Sequence, residues 1–306
     1  MADPARPRRS ALYVPGANAR ALEKARTLPA DVVILDLEDG VAPDAKQAAR
    51  EAVAGALAAG GFGPHHERVL RVNGLDTPWG YADLLAAARA MDGAGLDAVL
   101  LPKVDGPEIV RQAERVLHGA GGSSALSLWC MIETPRGVLA AEAIAGASPH
   151  LGALVLGLED LAKDLHAAPA KDRAGLVPVL AGVLTAARAH GLAALDGVFT
   201  DLDDESGFEA ACRQAVALGY DGKTLIHPKT VAAANRLFAP DEAALERARR
   251  IIEAHRAALA GGHGVTVVDG KLVERLHVDE ARRLVALAEA VAARGGEARD
   301  EAGSAS

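Results

Sequence analysis

Eight short apolar runs punctuate the first 228 residues, and polar or charged residues close nearly all of them. They cover Ala11–Gly16, Val32–Asp39, Arg68–Asn73, Ala98–Val104, Leu126–Thr134, Ala153–Asp160, Ala193–Phe199 and Lys223–Pro228. Their length and β-branched content predict strands, and the Ala-rich stretches between them carry the 3.6-residue period of helices. With Pro15, Asp39, Asn73, Lys103, Glu133, Asp160, Asp196 and His227 as end markers, successive gaps are 24, 34, 30, 30, 27, 36 and 31 residues. A gap near 30 is one βα unit, so eight units predict a closed (β/α)8 TIM barrel. An open doubly wound sheet shares this alternation. Its first turn, however, normally carries GxGxxG, and here that turn is Pro15-Gly16-Ala17-Asn18.

The pattern changes after His227. Pro240-Asp241-Glu242 starts a helix that is amphipathic over Leu245–Leu259, and Gly261-Gly262-His263-Gly264 ends it. Val265–Val268 and Lys271–Leu276 flank Asp269-Gly270 and predict a hairpin, followed by a last helix over Val278–Ala293. The expected organisation is a barrel over residues 9–238 and a helix-hairpin-helix extension over 239–294. The extension is too short to bury a core of its own and reads as a lid or oligomer arm. Irregular tails are expected at 1–8 and 295–306.

Half of the 306 residues are hydrophobic, but only 3% are aromatic and the net charge is −8. That combination excludes a general nucleic-acid binder, which needs cations for phosphates and rings for bases. No run of about 18 apolar residues occurs and no apolar segment follows the basic Arg6, Arg8 and Arg9, so a soluble cytoplasmic protein without a membrane partner is expected. Cys130 and Cys212 lack metal-ligand spacing and predict buried, reduced thiols.

In a barrel the strand ends meet at one face. Asp36, Glu38, Asp39, Arg71, Asn73, Lys103, Glu133, Glu159, Asp160, Asp196 and His227 would gather there. So many carboxylates resist joint ionisation unless a cation joins them, and oxygen ligands suit Mg²⁺, with Mn²⁺ as the alternative. Glu133 and Asp160 close consecutive apolar strands and are the candidate metal pair; the competing reading has each one capping the helix that follows. Arg71 either meets substrate, as a carboxylate or a developing oxyanion, or forms an ion pair with Glu38 or Asp39. Lys103 and Lys223 read as structural counter-charges, and His227, held before a proline, as a structural histidine. GxSxG, HExxH, P-loop and Cys-His patterns are missing.

An ordered set of motifs resembles the citrate lyase β-subunit-like proteins of the HpcH/HpaI aldolase group. It comprises Arg9-Ser10-Ala11-Leu12-Tyr13-Val14-Pro15-Gly16, the acidic strand end, Arg71-Val72-Asn73, Leu101-Pro102-Lys103, Ile132-Glu133-Thr134, Gly157-Leu158-Glu159-Asp160-Leu161, Leu195-Asp196-Gly197-Val198 and Gly222–Pro228. The resemblance implies a Mg²⁺-dependent (β/α)8 barrel, oligomeric as a trimer or hexamer, acting on β-hydroxyacyl-CoA thioesters such as malyl-CoA or citramalyl-CoA. By motif, Glu133 and Asp160 would hold Mg²⁺, Arg71 and Glu133 would meet substrate, and Glu38 and Asp39 would stand behind the metal-bound waters. The residues that contact the CoA carrier are not marked.

The implied reaction is a retro-Claisen cleavage to an acyl-CoA and a 2-oxo acid. The resemblance also leaves open a citrate lyase β subunit working with an acyl carrier protein, a malyl-CoA thioesterase, and a scaffold without activity. One position departs from the pattern: relatives carry Asp in a Gly-x-Met-[Ile/Val]-Asp-x-Pro stretch, whereas this chain reads Gly270-Lys271-Leu272-Val273-Glu274-Arg275-Leu276. Glu274 is thus the candidate acid or base, on a longer arm.

Overall fold

Alternation within each apolar run divides its side chains between two environments. Leu12, Val14, Val33, Leu35, Leu70 and Val99 join the large core between strands and helices, whereas Ala11, Val32, Ile34, Val69, Leu100 and Trp129 form a second, central cluster. Such a period of two, with both faces apolar, is what a closed parallel sheet under a ring of helices requires. The computed structural model describes residues 6–63, 65–91, 95–122, 127–168, 170 and 172–304, and has that architecture.

The strands are β1 Ser10–Pro15, β2 Val32–Asp36, β3 Glu67–Arg71, β4 Ala98–Leu101, β5 Ser127–Ile132, β6 Leu151–Leu156, β7 Ala193–Asp196 and β8 Gly222–Leu225. All neighbours are parallel, and β8 pairs with β1 to close the barrel. Each strand stops one to four residues before the end read from the sequence. Hydrogen-bonded pairing gives out first, and the polar residues that follow stand in the βα loops, where barrel enzymes keep their chemistry.

Residues Arg8–Phe238 form one compact unit, and the chain from Ala239 belongs to a second. The expected irregular tail over 1–8 does not extend to Arg8. Its guanidinium is buried and pairs with Glu67 at 2.5 and 2.7 Å, since a buried carboxylate on β3 demands a cation. Residues 1–5, 305 and 306 lie outside the described residues.

In the second unit, Asp241 caps the helix Glu242–Ala260 by accepting the Ala244 N–H at 2.7 Å. Strands β9 Thr266–Val268 and β10 Lys271–Val273 pair antiparallel across Asp269 and Gly270, both with positive φ (50° and 73°), as a two-residue primed turn requires. Contrary to the expectation of no core, Ala248, Ile251, Val268, Val273, Val278 and Ala281 bury one another. The last helix, Arg275–Ser304, runs through Gly295-Gly296 where an irregular tail was expected. Glu297, Ala298 and Arg299 are among the better helix formers, so the helix resumes past two glycines that each cost roughly 1 kcal/mol.

Candidate active site

Asp36 and Arg71 end adjacent strands and stand opposite each other in the β2–β3 register. Arg71 Nε and Nη2 donate to the two oxygens of Asp36, each at 2.7 Å, in a buried bidentate fork. Asp36 also accepts the Glu38 N–H at 2.9 Å and the Gly40 N–H at 3.0 Å, so one carboxylate shapes the turn and fixes the arginine. Arg71 Nη1 lies 2.9 Å from Glu38 Oε2 and 3.5 Å from Asp39 Oδ2. The guanidinium sits 4.7 Å from the centre of the Tyr13 ring. Burial lowers Arg71, but the Asp36 hydrogen bonds and charge outweigh it and hold Arg71 above its ordinary value.

Glu38 is gripped from the other side as well, with Lys103 Nζ 2.5 Å from its Oε1. The same ammonium lies 3.8 Å from Asp39 and 3.9 Å from Asp160. Lys103 therefore joins the acidic turn after β2 to the first turn of the helix that follows β6. Its backbone is left-handed (φ 49°), which costs a non-glycine residue about 1 kcal/mol and aims its N–H at Glu133 Oε1, 2.7 Å away.

Glu133 follows β5 and is almost fully buried. Burial pushes its carboxyl up to about 7, against the pull of Lys103. Helix capping does not explain it, because Thr134 caps the helix Pro135–Leu139 by accepting the Gly137 N–H at 3.0 Å. Asp160 does lie in the first turn of the helix Leu158–Asp164, so the helix-end reading retains a share there. Gly157 makes the space for Glu133: a Cβ on it would stand 2.4 Å from Glu133 Cβ and 2.5 Å from its Oε2.

Among the described residues no group of three His, Cys, Asp or Glu converges as a metal site. Mg²⁺ does not need three, since it commonly takes one or two protein carboxylates and fills the rest with water and substrate. Glu133 and Asp160 line one cavity of about 370 Å³. No described residue donates to Glu133 Oε2. A carboxyl that burial pushes up to about 7, beside a second carboxylate and open space, fits a hard divalent ion.

Tyr13, Arg71 and Met131 also line that cavity, as do Asp36 and Asp39, and Leu156, Leu158, Val198 and Ile226 give it an apolar wall. The other strand-end residues are employed elsewhere. Asn73 bonds Asp83 and the Leu37 carbonyl. Asp196 is fully buried between Lys223 (2.7 Å) and Arg173 (2.8 Å), so Lys223 does not neutralise the acidic cluster as Lys103 does. His227 accepts the Lys229 N–H through Nδ1 at 3.1 Å and is exposed. Glu274 is an exposed residue of the second unit, at the start of the last helix. Sequence reasoning named Asp36 but not its fork with Arg71, and it missed the roles of Tyr13 and Gly157. The motifs Leu-Tyr-Val-Pro-Gly and Leu-Gly-Leu-Glu-Asp contain both, without saying which way a side chain points.

The family described as HpcH/HpaI aldolase/citrate lyase matches residues 9–228. A (3S)-malyl-CoA thioesterase of Cereibacter sphaeroides is 46% identical over 293 residues, covering 96% of this chain and 99% of that protein. An L-malyl-CoA/β-methylmalyl-CoA lyase of the same species is 36% identical over 95% of this chain and 98% of its own length. Among solved structures, the protein CitE from Mycobacterium tuberculosis, in complex with magnesium, acetoacetate and coenzyme A, superposes with a TM-score of 0.72 at 30% identity. That match covers 93% of this chain and 98% of the other.

Proposed function

Because the chain belongs to the HpcH/HpaI aldolase/citrate lyase family, we propose that it is a Mg²⁺-dependent enzyme of short β-hydroxyacyl-CoA thioesters of the malyl-CoA type, and that it hydrolyses the thioester. The observation that carries hydrolysis is the 46% identity to a malyl-CoA thioesterase along almost the whole of both chains. Carbon–carbon cleavage, which the sequence motifs favour, is the second reading and rests on the 36% identity to a malyl-CoA lyase. Both start from the same bound thioester.

The cavity of about 370 Å³ is near the small end of ligand pockets, roughly 300–1,000 Å³, which suits a short acyl group with the carrier outside. Glu133 and Asp160 would hold the cation, and the Lys103 N–H orients Glu133 for it. A bound Mg²⁺ would act as a Lewis acid on the substrate oxygens it touches. Arg71, immobilised by Asp36, adds a fixed positive charge at the cavity floor that attracts a carboxylate or a developing oxyanion without reorganising. Leu156, Leu158, Val198 and Ile226 keep bulk water from one wall, so these charges act in a weakly screening environment. In hydrolysis, water adds to the thioester carbon and the thiolate leaves, giving malate and free CoA. In cleavage, the bond between the α and β carbons breaks and acetyl-CoA leaves with glyoxylate. Glu274 is the candidate proton donor for that second route.

Purified protein incubated with Mg²⁺ and malyl-CoA in ¹⁸O-labelled water separates the two by mass. Label in the malate carboxylate with stoichiometric free CoA supports hydrolysis; glyoxylate with acetyl-CoA and no labelled malate replaces it by cleavage. Wild type indistinguishable from Glu133→Ala on malyl-CoA, β-methylmalyl-CoA and citramalyl-CoA would sink both.

A further inference from the structure

The site is rich in acceptors and poor in donors. Among the described side chains that line the cavity, only Tyr13 and Arg71 carry N–H or O–H groups able to donate; the remainder are carboxylates or apolar. Arg71 has little left to give. Its Nε and Nη2 are committed to Asp36 and its Nη1 to Glu38, with Asp39 also within 3.5 Å. It supplies charge, while most of its directed donors point at the protein's own carboxylates.

Tyr13 is the opposite case. It lies on β1 in phase with Ala11, so its side chain belongs to the central cluster inside the barrel, and its ring lies against the Arg71 guanidinium at 4.7 Å from the ring centre. Among the described residues the hydroxyl has one hydrogen-bond partner, the Met131 sulfur at 3.8 Å. A thioether is a weak acceptor, which a carbonyl oxygen readily displaces. Burial, with Asp36, Glu133 and Glu38 nearby, moves the phenol well above its ordinary value despite Arg71, so it stays protonated across the working range of enzymes. The arginine on its face draws electron density from the ring and strengthens the O–H as a donor.

We propose that Tyr13 is a catalytic residue whose O–H donates a hydrogen bond to the thioester carbonyl oxygen as that oxygen becomes negative. The proposal rests on the thioester reading above but not on which reaction follows. Negative charge grows on the same oxygen when water adds to the thioester carbon and when cleavage leaves an enolate. Tyr13 keeps its proton throughout. The arrangement divides the work, with Glu133 and Asp160 holding the cation at one side of the cavity, Arg71 setting the field, and Tyr13 supplying the directed donor.

Tyr13→Phe removes one oxygen and keeps the ring beneath Arg71. Measured on the full chain with Mg²⁺ and malyl-CoA, the variant should lose on the order of 10- to 100-fold in kcat with KM changed less than threefold. Its pH profile should keep the wild-type midpoints, because the lost group does not titrate there. Thermal midpoint and Mg²⁺ affinity by calorimetry should match wild type, and these readouts separate a donor to substrate from a packing role. A lowered midpoint with kcat retained, a rise in KM alone, or kinetics equal to wild type would each overturn the assignment of Tyr13 while leaving the thioester reading intact. Wild type without turnover on any thioester, equal to Glu133→Ala, would instead overturn that reading and the Tyr13 proposal with it.

Discussion

Gly157→Ala is a direct test of whether Glu133 is a working ligand, because the perturbation is purely steric. Gly157 has φ −103° and ψ 83°, which alanine can adopt, so no backbone strain enters. The added methyl would stand 2.4 Å from Glu133 Cβ, 2.5 Å from Oε2 and 3.1 Å from Met131 Cε. Carbon atoms are comfortable at about 3.5–4.0 Å, so something must retreat by about 1 Å. The Met131 terminus can swing aside. Glu133 Cβ moves only with the backbone just after β5, so the shift that relieves the clash carries the carboxylate with it, against its hydrogen bond from the Lys103 N–H.

An error of about 1 Å in a catalytic group costs on the order of 100-fold in rate. Overpacking of this kind costs about 1–3 kcal/mol in stability, or roughly 2–4 °C in Tm per kcal/mol for a unit of this size. Calorimetric titration with Mg²⁺, kcat on malyl-CoA and a thermal scan should show at least tenfold weaker metal binding, kcat down about 100-fold, and a loss of several degrees. Gly55→Ala is the control, since a methyl there meets nothing within 4 Å, and it should be neutral or stabilising by up to about 1 kcal/mol. A folded Gly157→Ala protein with Mg²⁺ affinity within twofold of wild type and unchanged kcat would refute the role assigned to Glu133.

Asp36→Ala should destabilise the barrel by about 3–5 kcal/mol in urea, because it leaves Arg71 charged and buried without its principal partner; a loss below 1 kcal/mol would show that Glu38 and Asp39 suffice. In the metal-free protein Glu133 keeps its proton up to about 7, whereas an unfolded chain releases it near 4.5. Folding stability from this group is therefore complete below about pH 4.5 and is lost as pH rises to about 7, a fall on the order of 3 kcal/mol that Glu133→Gln should abolish in pH-dependent urea melts. If the variant keeps the wild-type slope, the burial account is wrong. Asp39→Asn, at a half-exposed side chain, should weaken Mg²⁺ binding or turnover severalfold with Tm unchanged, and no change in either would return Asp39 to a structural role.

The barrel was legible because its two signals are periodic. Apolar runs spaced near 30 residues give the number of βα units, and each run's final polar residue gives the face of the barrel on which it ends. Register is different, since it depends on where one strand settles against the next. The sequence offers Glu38 or Asp39 as the partner of Arg71, and both do pair with it, at 2.9 and 3.5 Å, but the β2–β3 register adds Asp36 as the partner that takes two hydrogen bonds. Tyr13 was hidden for a related reason: in Leu-Tyr-Val-Pro the period of two assigns Tyr13 to one face, but only barrel closure makes that face the inside. Gly157 was hidden because its contribution is space, which leaves no chemical mark in a sequence. The end of the extension is legible only in part, since Gly295-Gly296 reads as a helix stop while the better helix formers after it carry the helix to Ser304.

The charges around the cavity also argue for a cation without reference to any relative. Asp36, Glu38, Asp39, Glu133, Glu159 and Asp160 bring six carboxylates, and Arg71 and Lys103, the cations paired with them, bring two positive charges, a deficit of four. Asp36 and Glu38 are buried and consume both cations at short distance. The deficit therefore falls on Asp39, Glu133, Glu159 and Asp160, which line the cavity. Protonation answers for Glu133 alone, near pH 7 and at the expense of its use as a ligand. A divalent cation held by Glu133 and Asp160 would remove half of the deficit and release that proton. What is left would be carried by the exposed Asp39 and Glu159, where water screens it, so a substrate carboxylate entering beside Arg71 would meet a less acidic floor.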